Sequence, residues 1–143
     1  MGIKKQEFYE GAALHQLART GLLMKIWYET PFFEFNGCMS VLLKYSTRGR
    51  SPWGFTFTGD EQALLQARAL RSRITIGLVC GSDGIAAFSY EQFLTVAPLH
   101  QSAVHIACYR AHGELYEVKG PEGKLDRKVS PANWLRILEL RAT

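Results

Sequence analysis

Two spacings of apolar residues alternate along this chain, and each predicts an element. Over residues 4–20, KKQEFYEGAALHQLART, the apolar positions have helical spacing and Gly21 supplies a stop, so a helix is expected. Glu10 shares the face of Ala13, Leu14 and Leu17, being three, four and seven residues from them. Residues 23–47, LMKIWYETPFFEFNGCMSVLLKYST, are rich in β-branched and aromatic side chains and predict two or three strands, the first interrupted by Pro31. Asn36-Gly37, between FFEF and CMSV, is the turn dipeptide of a tight hairpin. A loop follows, then WGFTFT alternates strictly, with Trp53, Phe55 and Phe57 on one face and Gly54, Thr56 and Thr58 on the other.

The chain continues with a helix over GDEQALLQARALRS, capped by Thr58 or Asp60, with Arg71 near its end. RITIGLVC then reads as a strand covered on both faces. Ser82-Asp83-Gly84 turns the chain into IAAFSY, and EQFLTVA reads as a short helix. SAVHIACYRAHGELYEVKG predicts a hairpin turning at His112-Gly113, and PEGKLDRKV a polar loop. Ser130-Pro131 opens a final helix, ANWLRILELR, with serine as N-cap and proline in the first turn. Consecutive strands in the first half and the absence of any repeat or linker imply one α+β domain over residues 1–143, with a mixed sheet flanked by helices.

Composition narrows this picture without changing it. The chain of 143 residues is 47% hydrophobic and 21% charged, an ordinary globular balance with enough length for one core. No apolar run reaches the roughly 18 residues of a membrane helix, and MGIKKQEFYEG has no signal-peptide core. A cytoplasmic protein with no membrane partner is expected. Cys38, Cys80 and Cys108 lie far apart in apolar runs, which predicts reduced, buried thiols. The four histidines make no zinc spacing with them.

The net charge of +4 permits nucleic-acid binding without demanding it. Its distribution is more informative: Arg48 and Arg50 share one loop, and Arg68, Arg71 and Arg73 crowd the segment after it. Just before that loop, the run VLL ends in Lys44. Alternation puts Ser40, Leu42, Lys44 and Ser46 on one face of the strand, and Glu34 and Asn36 share a face with Phe32 on the strand before. A hairpin about Asn36-Gly37 would bring Glu34, Asn36 and Lys44 to one sheet surface, with Glu10 presented by the covering helix. Carboxylates so placed can hold a divalent cation through oxygen. A lysine beside them can orient a water or stabilise a developing phosphate charge, and Arg48 and Arg50 can meet a phosphate backbone.

The order helix, three strands, helix, strand over residues 4–82 resembles the αβββαβ core of the PD-(D/E)XK nuclease superfamily, with residues 83–143 as a C-terminal hairpin and helix outside it. The resemblance implies a restriction-endonuclease-like fold and a metal-dependent nuclease acting on DNA or RNA. Lys44 matches the motif lysine, Glu10 the acid of the first helix and Glu34 the first strand acid, with Asn36 as the other occupant of that position. Glu10 and Glu34 would then ligate Mg²⁺ or Mn²⁺. Leu42 stands two residues before Lys44, where the family places an acid. Either another element supplies that ligand, or the domain is a non-catalytic binding module that contacts nucleic acid or protein. On the binding reading Arg48 and Arg50 contact phosphate, and Trp53, following Pro52 at the loop edge, stacks on a base or touches a partner. A third reading is an oligomeric adaptor built through exposed edge strands and the C-terminal region, whose helix carries Trp134, Leu135, Ile137, Leu138 and Leu140 on more than one side.

Two other stretches carry no such chemistry. GSDG at 81–84 lacks both phosphate-loop patterns and precedes a strand, so it reads as a tight turn. Ser46 lacks the glycine context of an esterase nucleophile.

Overall fold

The apolar run at Met39–Ser46 is the spine of the molecule. In the computed structural model, which describes residues 2–139, it forms an eight-residue strand with a partner on each side. The elements in chain order are α1 (Lys5–Ala18), β1 (Ile26–Glu29), β2 (Phe32–Phe35), β3 (Met39–Ser46), β4 (Trp53–Phe57), α2 (Gly59–Arg68), β5 (Arg73–Cys80), β6 (Gly84–Ser89), α3 (Tyr90–Val96), β7 (Val104–Tyr109), β8 (Glu117–Gly120) and β9 (Gly123–Lys124), followed by a 3₁₀ helix at Pro131–Arg136. The expected α+β domain is present, with helices flanking a mixed sheet and a second, antiparallel sheet.

The first sheet has the order β1-β2-β3-β5-β6. β1, β2 and β3 form an antiparallel meander, β5 runs parallel to β3, and β6 returns antiparallel along β5. The Asn36-Gly37 signal marks the β2–β3 turn, where both residues take positive φ, +56° and +68°. The Asn36 amide also closes the preceding loop: its Oδ1 accepts from the Met24 and Lys25 N–H groups at 2.7 and 3.0 Å, and its Nδ2 donates to the Leu22 carbonyl at 2.8 Å.

Alternation in WGFTFT also holds, but it serves a sheet that local sequence does not announce. β4 leaves the first sheet and pairs with β7, Phe57 opposite Val104, in a second sheet ordered β4-β7-β8-β9. The inner faces of the two sheets share one core. Leu42, Ile76, Leu78 and Phe88 of the first meet Trp53, Phe55, Phe57, Ile106 and Val118 of the second, with Leu65 of α2 and Phe93 of α3 at the sides. The outer face of the first sheet carries α1 and the 3₁₀ helix around Ala13, Leu17, Phe35, Val41, Leu43 and Trp134.

The segment read as an extension to the nuclease-like core supplies β6, the pairing partner of β5, and β7, the pairing partner of β4. Both sheets therefore cross residue 82. The expected last helix is a 3₁₀ helix. Ser130 caps it, accepting from the Ala132 N–H, and two side chains hold its tight turn. Asn133 Nδ2 donates to the Ala87 carbonyl and Trp134 Nε1 to the Ala13 carbonyl, both at 3.0 Å. Leu140 and Arg141 of the expected helix lie outside the described residues. No helix among the described residues is long and apolar enough to cross a membrane.

Cys80 and Cys108 are buried in the shared core, as expected, but Cys38 is exposed at the β2–β3 turn. The Cys80 thiol is pushed far up by its neighbour Cys108 and by burial, which removes the reactive thiolate. Native protein treated with a thiol reagent at neutral pH should label at one site, lost on Cys38→Ser. Rapid labelling of a second thiol in the folded state would contradict this burial.

Candidate nucleic-acid interface

Lys44 lies near the end of β3, and its face is the one read from the sequence: with Ser40 and Leu42, toward α2. Its ammonium is already engaged. Nζ donates to both carboxylate oxygens of Glu61, at 2.9 and 2.8 Å, and sits 5.2 Å from the centre of the Phe57 ring. Glu61 is fixed in turn by the start of α2. The Thr58 hydroxyl accepts from the Glu61 N–H at 3.1 Å, and Glu61 Oε1 accepts from the Thr58 N–H at 2.9 Å, a reciprocal cap. One carboxylate therefore both starts the helix and clamps the lysine to it. The spacing Thr58-x-x-Glu61 was the available sequence signal for Glu61.

The acids expected beside Lys44 lie elsewhere. Glu34 is opposite Ser40 in the β2–β3 register, and four strand positions separate Ser40 from Lys44, about 13 Å. Its Oε2 pairs with Arg68 Nη1 at 3.6 Å. Arg68 is a buried arginine of α2 that also binds Glu29, donates to Ser40 Oγ at 3.4 Å and lies over the Phe32 ring. Glu10 lies on the opposite side of the sheet. It borders a groove of about 850 Å³ between α1 and the β1–β2 hairpin, with Tyr28 and Phe33 in the other wall. Burial raises its carboxyl above the ordinary value, against a hydrogen bond from Gln6 Nε2 at 2.9 Å, while Glu7 adds to the rise. Asn36 is taken up by the loop it closes.

The residues that the resemblance assigns to Mg²⁺ or Mn²⁺ do not fit the ion. Their carboxylates are separated by the sheet, and the lysine is paired with a third acid. Among the described residues no three His, Cys, Asp or Glu side chains are grouped to hold a metal.

Trp53 also takes a different place. It is 2% exposed, packs edge-on against Tyr116 and donates from Nε1 to the Arg48 carbonyl at 2.9 Å. Strand alternation, not loop-edge position, decides its burial, so no base can stack on it. What Trp53 does is hold the loop that carries the two arginines.

That loop, Thr47 to Pro52, is pinned along its length. Besides the Trp53 bond, Ser46 Oγ accepts from the Arg48 N–H at 3.3 Å, the Ser46 carbonyl accepts from the Gly81 N–H at 2.9 Å, and Ser51 Oγ accepts from the Arg110 N–H at 3.0 Å. Gly81, at φ +54°, lets the turn after β5 approach the Arg48 carbonyl so closely that a Cβ there would collide with it. The side chains of Arg48 and Arg50 point out from this fixed backbone, exposed. Among the described residues neither has a carboxylate within salt-bridge distance.

Arg110, which sequence reasoning passed over, borders the same loop. Its guanidinium donates to Asp83 Oδ2 at 2.8 Å, where the buried Tyr116 hydroxyl also donates, at 2.6 Å. The turn GSDG thus works through its aspartate, as an anchor for β7 and the segment leading into β8.

The chain matches no protein-family model, no curated protein and no solved structure.

Proposed function

We propose that this protein is a nucleic-acid-associated binding module that contacts the phosphate backbone of DNA or RNA through Arg48 and Arg50, without cutting it. The observation that carries this reading is the pair of exposed guanidinium groups, without a carboxylate partner among the described residues, on a backbone held at several points. A fixed backbone spares the cost of ordering the loop, and a planar guanidinium can bind phosphate oxygens in a bidentate way. The order α1, the β1–β3 meander, α2 and the parallel β5, with the two helices on opposite faces, supports an αβββαβ reading with β4 inserted before α2. In that frame Lys44, bound to Glu61, acts as a strand-to-helix clamp.

The test is fluorescence anisotropy with labelled single-stranded DNA, duplex DNA and RNA across a salt series. Binding should weaken steeply with salt. Arg48→Ala and Arg50→Ala should each lower the slope of log affinity against log salt by about 1, leaving thermal stability unchanged because both side chains are exposed. Salt-insensitive binding, or slopes unaltered by both substitutions, would sink the proposal. The same probes should stay intact with Mg²⁺ or Mn²⁺; cleavage abolished by Lys44→Ala would instead make this an enzyme.

A further inference from the structure

The two edges of the first sheet are treated differently. At one edge β6 is covered, with the 3₁₀ helix packed over it and Asn133 bonded to the Ala87 carbonyl. At the other, no strand among the described residues pairs with β1 on its outer side, and it is exposed on both faces, with Trp27 at 70%, Tyr28 at 50% and Ile26 at 45%. Met24, just before the strand, is exposed as well. Natural proteins blunt such edges with charge, proline or a covering element. This one presents its most exposed tryptophan.

The direction of the free backbone groups follows from one hydrogen bond. The Asn36 N–H donates to the Lys25 carbonyl at 2.9 Å. Antiparallel pairing alternates, so Lys25, Trp27 and Glu29 turn their peptide groups toward β2, and Ile26 and Tyr28 turn theirs outward. Side chains alternate across the faces in the same way, with Lys25, Trp27 and Glu29 on one and Ile26 and Tyr28 on the other.

Read as an antiparallel partner of itself, the sequence KIWYE at 25–29 is self-complementary. A two-fold axis through Trp27, perpendicular to the sheet, sets Lys25 opposite the second copy's Glu29, Ile26 opposite its Tyr28, and Trp27 opposite its Trp27. Ile26 and Tyr28 are the residues with outward peptide groups, so the two copies would exchange four backbone hydrogen bonds. Trp27 falls at a pair without backbone bonds, where facing side chains come closest. Both arginines that bind Glu29 use Oε1, which leaves Oε2 without a hydrogen bond among the described residues. Moving the axis to Tyr28 sets Trp27 against Glu29, and moving it to Ile26 sets Trp27 against Lys25. Only the Trp27 register matches every pair.

We infer that the protein forms a homodimer by antiparallel pairing of β1 with the β1 of a second copy, which joins the two five-stranded sheets into one. The occupant of this edge is the same chain because charge, apolar contact and backbone phase agree in a single symmetric register. This interface is independent of the arginine loop, and its failure would leave the nucleic-acid proposal standing.

Sedimentation equilibrium of the full chain in a Cys38→Ser background should give a dimer. Trp27→Lys, which places two like charges at the axis, should weaken association by about 30-fold or more, with far-UV circular dichroism unchanged. Lys25→Glu should weaken it less. Under mild oxidation Trp27→Cys should cross-link to its own copy, because Cα atoms at such a pair lie about 4.5 Å apart, whereas Tyr28→Cys should not. A monomer at all concentrations, a dimer indifferent to Trp27→Lys, or equal cross-linking at 27 and 28 would overturn the inference.

Discussion

Replacing Trp134 by alanine is expected to destabilise the protein by about 3 to 5 kcal/mol, the usual cost of emptying a buried tryptophan site. The indole is fully buried, packs edge-on against Phe35 and donates to the Ala13 carbonyl. It also fills the space over Gly77, where a Cβ would sit 3.3 Å from the ring. The substitution removes the contact between the C-terminal turn, α1 and the outer face of the first sheet together. Against a domain stability of roughly 5 to 15 kcal/mol, the variant should unfold at far lower urea in a single transition. A loss confined to the segment after residue 82, with the first 82 residues unfolding later, would show that the segment is an appendage instead of part of one core.

The next largest effect should come from Asp83, and it should depend on pH. Burial pushes its carboxyl up, but the hydrogen bonds from Tyr116 and Arg110, with the arginine's charge, outweigh burial and hold it below the ordinary value. The folded protein therefore releases this proton more readily than the unfolded chain. Its stabilisation is complete above the ordinary aspartate range and fades as pH falls from about 4 through the lower folded value. Asp83→Ala should cost about 2 to 3 kcal/mol at neutral pH, because it leaves the buried Tyr116 hydroxyl without its acceptor. Its deficit relative to wild type should shrink in acid. Urea titrations at several pH values would measure this, and a deficit constant down to pH 2 would rule the linkage out.

How much of this was legible in the sequence depends on how local each feature is. The faces of β3, the Asn36-Gly37 turn and the alternation of β4 are set within a few residues, and the structure has them as read. The place of β4 was not legible, because its partner Val104 lies 47 positions beyond Phe57 and no local pattern records such a pairing. The burial of Trp53 follows from that sheet, and the proline and arginines beside it pointed the other way. Glu10 was given the right helix, but which face of the sheet the helix covers is a tertiary fact. The partner of Lys44 was present as a capping acid, and only the packing of α2 against β3 showed that the same carboxylate reaches the lysine. Cys38 reads as a buried member of an apolar run but belongs to the turn, and is exposed for that reason.

The route of β4 also orders events during synthesis. The ribosome releases the β1–β3 meander, α2 and β5 as a set that can pair with itself. β4 is released among them with no strand to join until β7 has been made. A nascent chain of about a hundred residues therefore exposes Trp53, Phe55 and Phe57 beside a half-built layer, and such a surface attracts chaperones and other nascent chains alike. The layer closes only when β7 and the strands after it arrive.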